Sequence, residues 1–277
     1  MSRFKLYIEY EGTRYSGWQM QKNAKSIQGK LYEVAKNIFM NRHSRSKDEH
    51  LEIYGAGRTD AGVHALCQVA HLEVKTMLAP EIIKMKLNDE LPSDINIIEV
   101  EKTSPKFHAR HDAVGRSYIY QVSRRRTAFG KPFVWWIKDQ LDFKKMEIAS
   151  QHFIGMHDFI SFADKDDQDK SVYRQGKSTK VLIKDVQMKE EGGLILIRIV
   201  GSHFLWKQVR RMVGVLVEIG RGKLTEKDLI YFLEHESPAP AKFTAPPSGL
   251  FLERIYYKEN EKLQELKSTI SISANQI

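Results

Sequence analysis

Ten consecutive residues gather the groups most able to do chemistry: Gly55-Ala56-Gly57-Arg58-Thr59-Asp60-Ala61-Gly62-Val63-His64. Glycine lacks a Cβ, so three glycines in the first eight positions make a tightly turned loop that brings backbone close to another group. On that loop stand a guanidinium, a hydroxyl, a carboxylate and an imidazole, from Arg58, Thr59, Asp60 and His64. Loops that present such groups between strands are common sites of function. The same residues also suit a structural role, a decorated turn in which Asp60 caps backbone amides. Residue types alone leave both readings open.

Other familiar motifs fail on their chemistry. Gly55-x-Gly57 invites a dinucleotide reading, but Asp60 stands where the third glycine belongs, and its charge would repel a pyrophosphate. Gly176-Lys177-Ser178 resembles the end of a phosphate-binding loop, yet Ser171 occupies the first glycine's place and no apolar strand precedes it. In the acidic run Asp164-Lys165-Asp166-Asp167, a calcium loop would need glycine at Asp169 and glutamate at Gln175, which leaves a solvated loop. The histidines form no His-Glu-x-x-His pair, so no metal site is expected. Cys67 is the only cysteine; it excludes an intrachain disulfide and reads as a small buried hydrophobe in a strand.

The chain of 277 residues, 42% hydrophobic and 10% aromatic, has the composition of a folded protein. Its net charge of +9 favours an anionic partner, nucleic acid before acidic membrane, although surface lysines that merely solubilise would give the same sum. Met1-Ser2-Arg3-Phe4-Lys5 runs into a strand pattern without a signal-peptide apolar stretch, and Met212 to Ile219 is too short to span a bilayer. The expectation is a cytoplasmic protein with no membrane segment.

The elements that must hold the loop fall into two similar series. Phe4, Leu6, Ile8 and Tyr10 alternate on one face of a first strand. Ser26 is a good N-cap for a helix with the stripe Ile27, Leu31, Val34 and Ile38. Strands at Leu51–Tyr54 and through Ala70, Leu72 and Val74 flank the loop; a helix with Pro80 at its first position and a strand near Ile95–Val100 follow. The second series runs from a strand at Ser117–Val122 to a helix from Asp142, then strands at Val181–Met188 and Leu194–Val200. A long helix from about Phe204 to Gly220 has Leu205, Val209, Met212, Leu216 and Ile219 on its core face. Thr225-x-x-Asp228 predicts a capping box, and Gly249 to Tyr256 a last strand. These patterns predict an α+β fold of two halves, residues 1–112 and 113–258 with a cleft between them, and a polar tail at 259–277.

Gly57-Arg58-Thr59-Asp60-Ala61-Gly62-Val63-His64-Ala65 resembles the signature of the TruA family of tRNA pseudouridine synthases. Five further blocks are similar in the same order: Tyr10-x-Gly12 to Gly17-Trp18-Gln19-x-Gln21, Phe107-His108-Ala109-Arg110, Arg116-Ser117-Tyr118-Ile119-Tyr120, Phe204-Leu205 with Val209-Arg210-Arg211-Met212-Val213-Gly214, and Pro247-x-Gly249-Leu250. Together they span roughly residues 4–256.

The resemblance implies the pseudouridine synthase fold, two similar α/β halves sharing a long curved mixed sheet with a central cleft. It implies an isomerase that turns uridine into pseudouridine in tRNA without a cofactor, on the 3′ side of the anticodon stem-loop, as a homodimer. Asp60 would be the nucleophile, a carboxylate already ionised at neutral pH. Tyr118 would stack on the uracil and serve as a base, against the alternative of a core aromatic that shares a strand face with Tyr120. Arg210 would pair with Asp60, against the alternative of a helix-flank charge. Around these, Arg14, Arg58, Arg110, Arg116, Lys207 and Arg211, with the run Arg124-Arg125-Arg126, are expected to meet RNA phosphates. The chain departs from the family in the charged stretch Asp164 to Lys177, at Trp206-Lys207 and in the tail. Two other classes remain in view, a catalytically inert RNA-binding protein and a nucleoside hydrolase using the same aspartate.

Overall fold

The computed structural model describes residues 1–40, 50–164, 178–259 and 261–274. The stretch 165–177, with most of the acidic run and Gly176-Lys177, lies outside the described residues. The chain is α+β and forms two compact units, Met1–Val114 with Phe251–Glu259, and Gly115–Leu250 with Asn260–Ile277.

In the first unit, β1 (Ser2–Tyr10) lies antiparallel between β3 (His64–Val74) and β4 (Ile95–Thr103). Its alternating residues Phe4, Leu6, Ile8 and Tyr10 are all buried, so strand period and burial agree. β2 (Leu51–Gly55) pairs with the far end of β3. Helix α1 (Ile27–Phe39) starts where Ser26 accepts from the Gly29 amide and packs on β2; Ile27, Leu31 and Val34 are its buried stripe. α2 (Pro80–Glu90) has Pro80 in its first turn and packs on β4. The last strand, β10 (Leu250–Tyr256), runs parallel to β3, with Phe251 opposite His64 and Leu252 opposite Ala65. That pairing returns Phe251–Glu259 to the first unit, where the sequence reading carried the second half unbroken to residue 258.

In the second unit, β5 (Gly115–Ser123), β9 (Leu194–Gly201), β8 (Lys180–Glu191) and β7 (Gly155–Asp158) pair antiparallel in that order, and β6 (Trp135–Trp136) joins the end of β5. α3 (Phe143–Ser150), capped by Asp142, packs on α4 (Gln208–Gly220). α5 (Glu226–Glu234) carries the capping box of Thr225 and Asp228 in both directions.

Two expectations change. α4 begins at Gln208, not Phe204, because Lys207 takes a left-handed conformation (φ 60°) that no α-helix continues through. From Arg211 to Gly220 every residue is buried, so α4 is a core helix enclosed on all sides rather than a one-faced stripe. The tail is also no loose appendage. Leu266 and Ile272 are buried against Ile119, Val134, Leu194 and Leu196, and Arg198, itself buried, donates to the Gln264 carbonyl at 2.8 Å. Two well-spaced apolar residues dock it, and side chains of the body such as Arg125, Lys189 and Arg198 donate to its backbone carbonyls, which periodicity cannot reveal. Among the described residues, no helix is long and apolar enough to cross a membrane.

Candidate active site

The Asp60 loop is held by backbone. The Trp18 amide donates to the Thr59 carbonyl at 3.0 Å, the Gly62 amide to the Tyr15 carbonyl at 3.2 Å, and the Val63 amide to the Asp60 carbonyl at 3.1 Å. These amides are thus answered by main-chain carbonyls, and the Asp60 carboxylate is not needed to cap them. Asp60 itself is half-buried. Two glycines make the arrangement possible. Gly62 turns at φ +77°, and Gly17, in the segment packed over the loop, sits at φ +88° where a Cβ would fall on the Thr59 carbonyl oxygen. Gly57 needs neither device: its φ is ordinary and a Cβ there would meet open space.

Side chains beneath the loop fix it further. The Thr59 hydroxyl is 2.8 Å from the Tyr10 hydroxyl, a buried pair that ties the residue before Asp60 to β1. Gln68 donates to the Gly57 carbonyl at 3.0 Å. His64, expected as a polar member of the loop, is the first residue of β3 and 1% exposed. Its Nδ1 accepts from the Gly12 amide at 3.1 Å and its ring stacks on Phe251 at 4.8 Å, so it supports the loop from within. Arg58 is exposed beside Asp60.

The block Phe107-His108-Ala109-Arg110 is anchored in the same unit. His71, in β3, accepts from the Ala109 amide through Nδ1 at 3.1 Å and stacks on Tyr54 at 5.9 Å. Burial first, then the neighbouring Arg3 cation, lowers its pKa to about 4, so the ring is neutral in use. The His108 Nδ1 faces the amides of Arg110 and His111, which leaves the Arg110 side chain exposed at the surface. Cys67 is half-buried on β3 rather than buried, and desolvation pushes its thiol up, away from reactivity. His50, Glu52 and Glu73 lie close enough to share a cation, but Arg3 already holds Glu73 and the other two are open to solvent.

In the second unit, Tyr118 lies in β5 and is 9% exposed; Phe204 meets its ring edge-on with centroids 5.2 Å apart. Tyr120, on the same face, is wholly buried and donates to the Pro246 carbonyl at 2.8 Å. Arg210 is half-buried in the first turn of α4, its Nε donating to the Ala245 carbonyl at 2.7 Å while its own carbonyl accepts from the Ala245 amide at 3.0 Å.

Several cations expected at phosphates are engaged within the fold. Arg211 is buried; it pairs with Asp164 at 3.1 Å and donates to the Ala163 carbonyl. Lys207 pairs with the same Asp164 at 2.5 Å. Arg116 donates to the Ser202 carbonyl at 2.9 Å, and Arg14, though exposed, pairs with Asp94 at 2.6 Å. In the run Arg124-Arg125-Arg126, the first pairs with Glu190 and the second holds the tail at the Ser273 carbonyl, 2.8 Å away. Asp164, partner to two of these cations, was missed because nothing local in sequence marks a carboxylate whose partners lie 43 and more residues on.

A carboxylate on a rigid, glycine-shaped loop, in an α+β protein with strong basic character, defines a candidate RNA-directed site built from the chain's own side chains. The family model described as tRNA pseudouridine synthase matches residues 6–112 and 149–258, and the chain belongs to that family. It is therefore a tRNA pseudouridine synthase, an isomerase. Tyr118 falls between the two matched ranges, whereas Asp60 and Arg210 lie inside them. The chain is 40% identical over 261 residues to a protein of Rhodopseudomonas palustris (strain BisA53) named tRNA pseudouridine synthase A, covering 93% of this chain and 100% of that one. It is 35% identical to a protein of the same name from Exiguobacterium sibiricum, covering 95% and 99%, and 34% identical to tRNA pseudouridine synthase A 2 of Bacillus cereus (strain ZK / E33L), covering 93% and 100%.

Proposed function

We propose that Asp60 is the nucleophile of this synthase, that Arg210 favours its charged form, and that Tyr118 stacks on the uracil and takes a proton during the reaction. The substrate is a uridine on the 3′ side of a tRNA anticodon stem-loop, and the working unit is a cytoplasmic homodimer. In this isomerisation the bond from uracil N1 to ribose C1′ breaks, the base turns, and a bond from C5 to C1′ forms. The proton lost from C5 is balanced by one gained at N1, so no oxidant, reductant or phosphoryl donor enters. A carboxylate can carry such a reaction by attacking the base or the ribose and leaving again. The target must first be turned out of its stack, which costs a few kcal/mol and calls for a pre-formed site.

The observation that supports this reading is the Asp60 loop itself, a half-buried carboxylate on a turn whose neighbouring amides meet main-chain carbonyls. The family match over that loop and over Arg210 adds to it. Asp60→Asn keeps size and hydrogen bonding but removes the attacking anion. Turnover of unmodified tRNA should vanish while tRNA still binds; conversion near the parent rate would remove Asp60 from the nucleophile's role. Mapping pseudouridine in the product tests the stem-loop position, and sedimentation tests the dimer.

A further inference from the structure

We propose that Trp206 is a stacking platform for an unpaired nucleobase of the RNA substrate, adjacent to the target uridine. This rests on the reading that RNA meets the face of the second unit bearing Tyr118 and Arg210. Trp206 is 42% exposed, a large indole at the surface. It stands two residues beyond Phe204, whose ring braces Tyr118, and two before the start of α4, so roughly 7 Å of chain at most separates it from Phe204.

The turn that presents it is built with care. Lys207 is the only non-glycine residue at positive φ among the described residues. Its ammonium lies 4.4 Å from the centroid of the Trp206 ring and 2.5 Å from Asp164 Oδ2, and the Asp164 amide donates to the Trp206 carbonyl at 2.9 Å. Asp164 thus grips the turn by both backbone and side chain, and Arg211 holds Asp164 from the other oxygen at 3.1 Å. Lys207 and Asp164 are positioning residues for the indole.

The chemistry of this patch selects a base over a phosphate. Both cations face Asp164, which weakens their hold on an incoming anion, while the exposed feature is the Trp206 indole, with the Lys207 ammonium over its ring. Turning a nucleotide out of its stack leaves each neighbouring base with one uncovered face, and an aromatic side chain replaces that lost contact without regard to base identity.

The test uses full-length protein carrying Asp60→Asn, so that tRNA is bound without being converted. Dissociation constants for unmodified tRNA are compared with Trp206 intact, Trp206→Phe and Trp206→Ala, with circular dichroism to confirm folding. Trp206→Ala should weaken binding about 5- to 150-fold, the range for one stacked base, and Trp206→Phe should retain most of the affinity. Binding should also quench a tryptophan fluorescence component that Trp206→Phe lacks. Affinity of Trp206→Ala within twofold of the intact form, with the same quench, would overturn the proposal. Should Asp60→Asn still form pseudouridine, the nucleophile assignment falls, while the comparison of binding constants, made on chilled or already modified tRNA, still decides the platform.

Discussion

Acidification should destabilise this protein through His71 in a way that one substitution can isolate. His71 is 1% exposed on β3, with Arg3, His108, Glu73 and Asp112 as its charged or titratable neighbours. Burial holds its pKa at about 4 in the folded chain, against 6.5 for an ordinary histidine. The unfolded chain therefore takes up a proton near pH 6.5 that the folded chain refuses until about pH 4. The His71 contribution is whole above 6.5 and is lost progressively as pH falls toward 4. Between pH 7.5 and 5.0 the loss is about 2 kcal/mol, a figure that depends little on the folded pKa provided it stays below 5. Below that range, protonation also removes the acceptor for the Ala109 amide, loosening the block that carries Arg110. His71→Asn retains a short-range acceptor but does not titrate. Urea unfolding at both pH values should show the variant less stable at pH 7.5, yet losing about 2 kcal/mol less than the parent on going to pH 5.0. Equal losses in the two proteins would refute the reasoning.

Gly17→Ala forces a side chain into a left-handed backbone and onto the Thr59 carbonyl, so it should cost about 1 kcal/mol or more and displace the loop before Asp60. Thermal melts and single-turnover rates measure the two effects, and turnover should fall more than stability explains. Deleting residues 260–277 removes Leu266 and Ile272 from the core and the Gln264 carbonyl from Arg198. At roughly 1.5–3 kcal/mol for each buried aliphatic, a loss of at least about 3 kcal/mol is expected in denaturant titrations.

Much of this was legible in sequence where the cause is local. Ser26, Asp142 and Thr225 mark helix starts because each caps an amide three residues away. Phe4 to Tyr10 announces a half-buried strand because alternation is itself the signature of a pleat. The nine-residue run at Gly57–Ala65 points to Asp60 through both residue types and resemblance. What stayed hidden depends on distant partners. The start of α4 is set by Lys207 turning left-handed toward Asp164, 43 residues earlier, and the tail docks through backbone groups that any sequence carries. His64 reads as a polar member of the loop until its partner, the Gly12 amide, is seen beneath it.

Charge shows the same limit with a functional consequence. A net +9 counts cations but not what they face. Arg14, Lys207, Arg211 and Arg124 each meet a carboxylate within the fold, and Arg116 and Arg125 meet carbonyls. An ion pair at the surface is worth little to stability and can exchange its partner for phosphate, so Arg14 and Arg124 are dimmed rather than removed. Arg211 is different: it is 7% exposed, and its guanidinium is held by both Asp164 and the Ala163 carbonyl. Arg58 and Arg110 are exposed, next to or within the blocks around the Asp60 loop, and the proposed function puts them first among the cations to meet RNA. On the proposed reading, recognition on the second unit leans less on phosphate and more on rings, with Tyr118 braced by Phe204 and the indole of Trp206 two residues beyond.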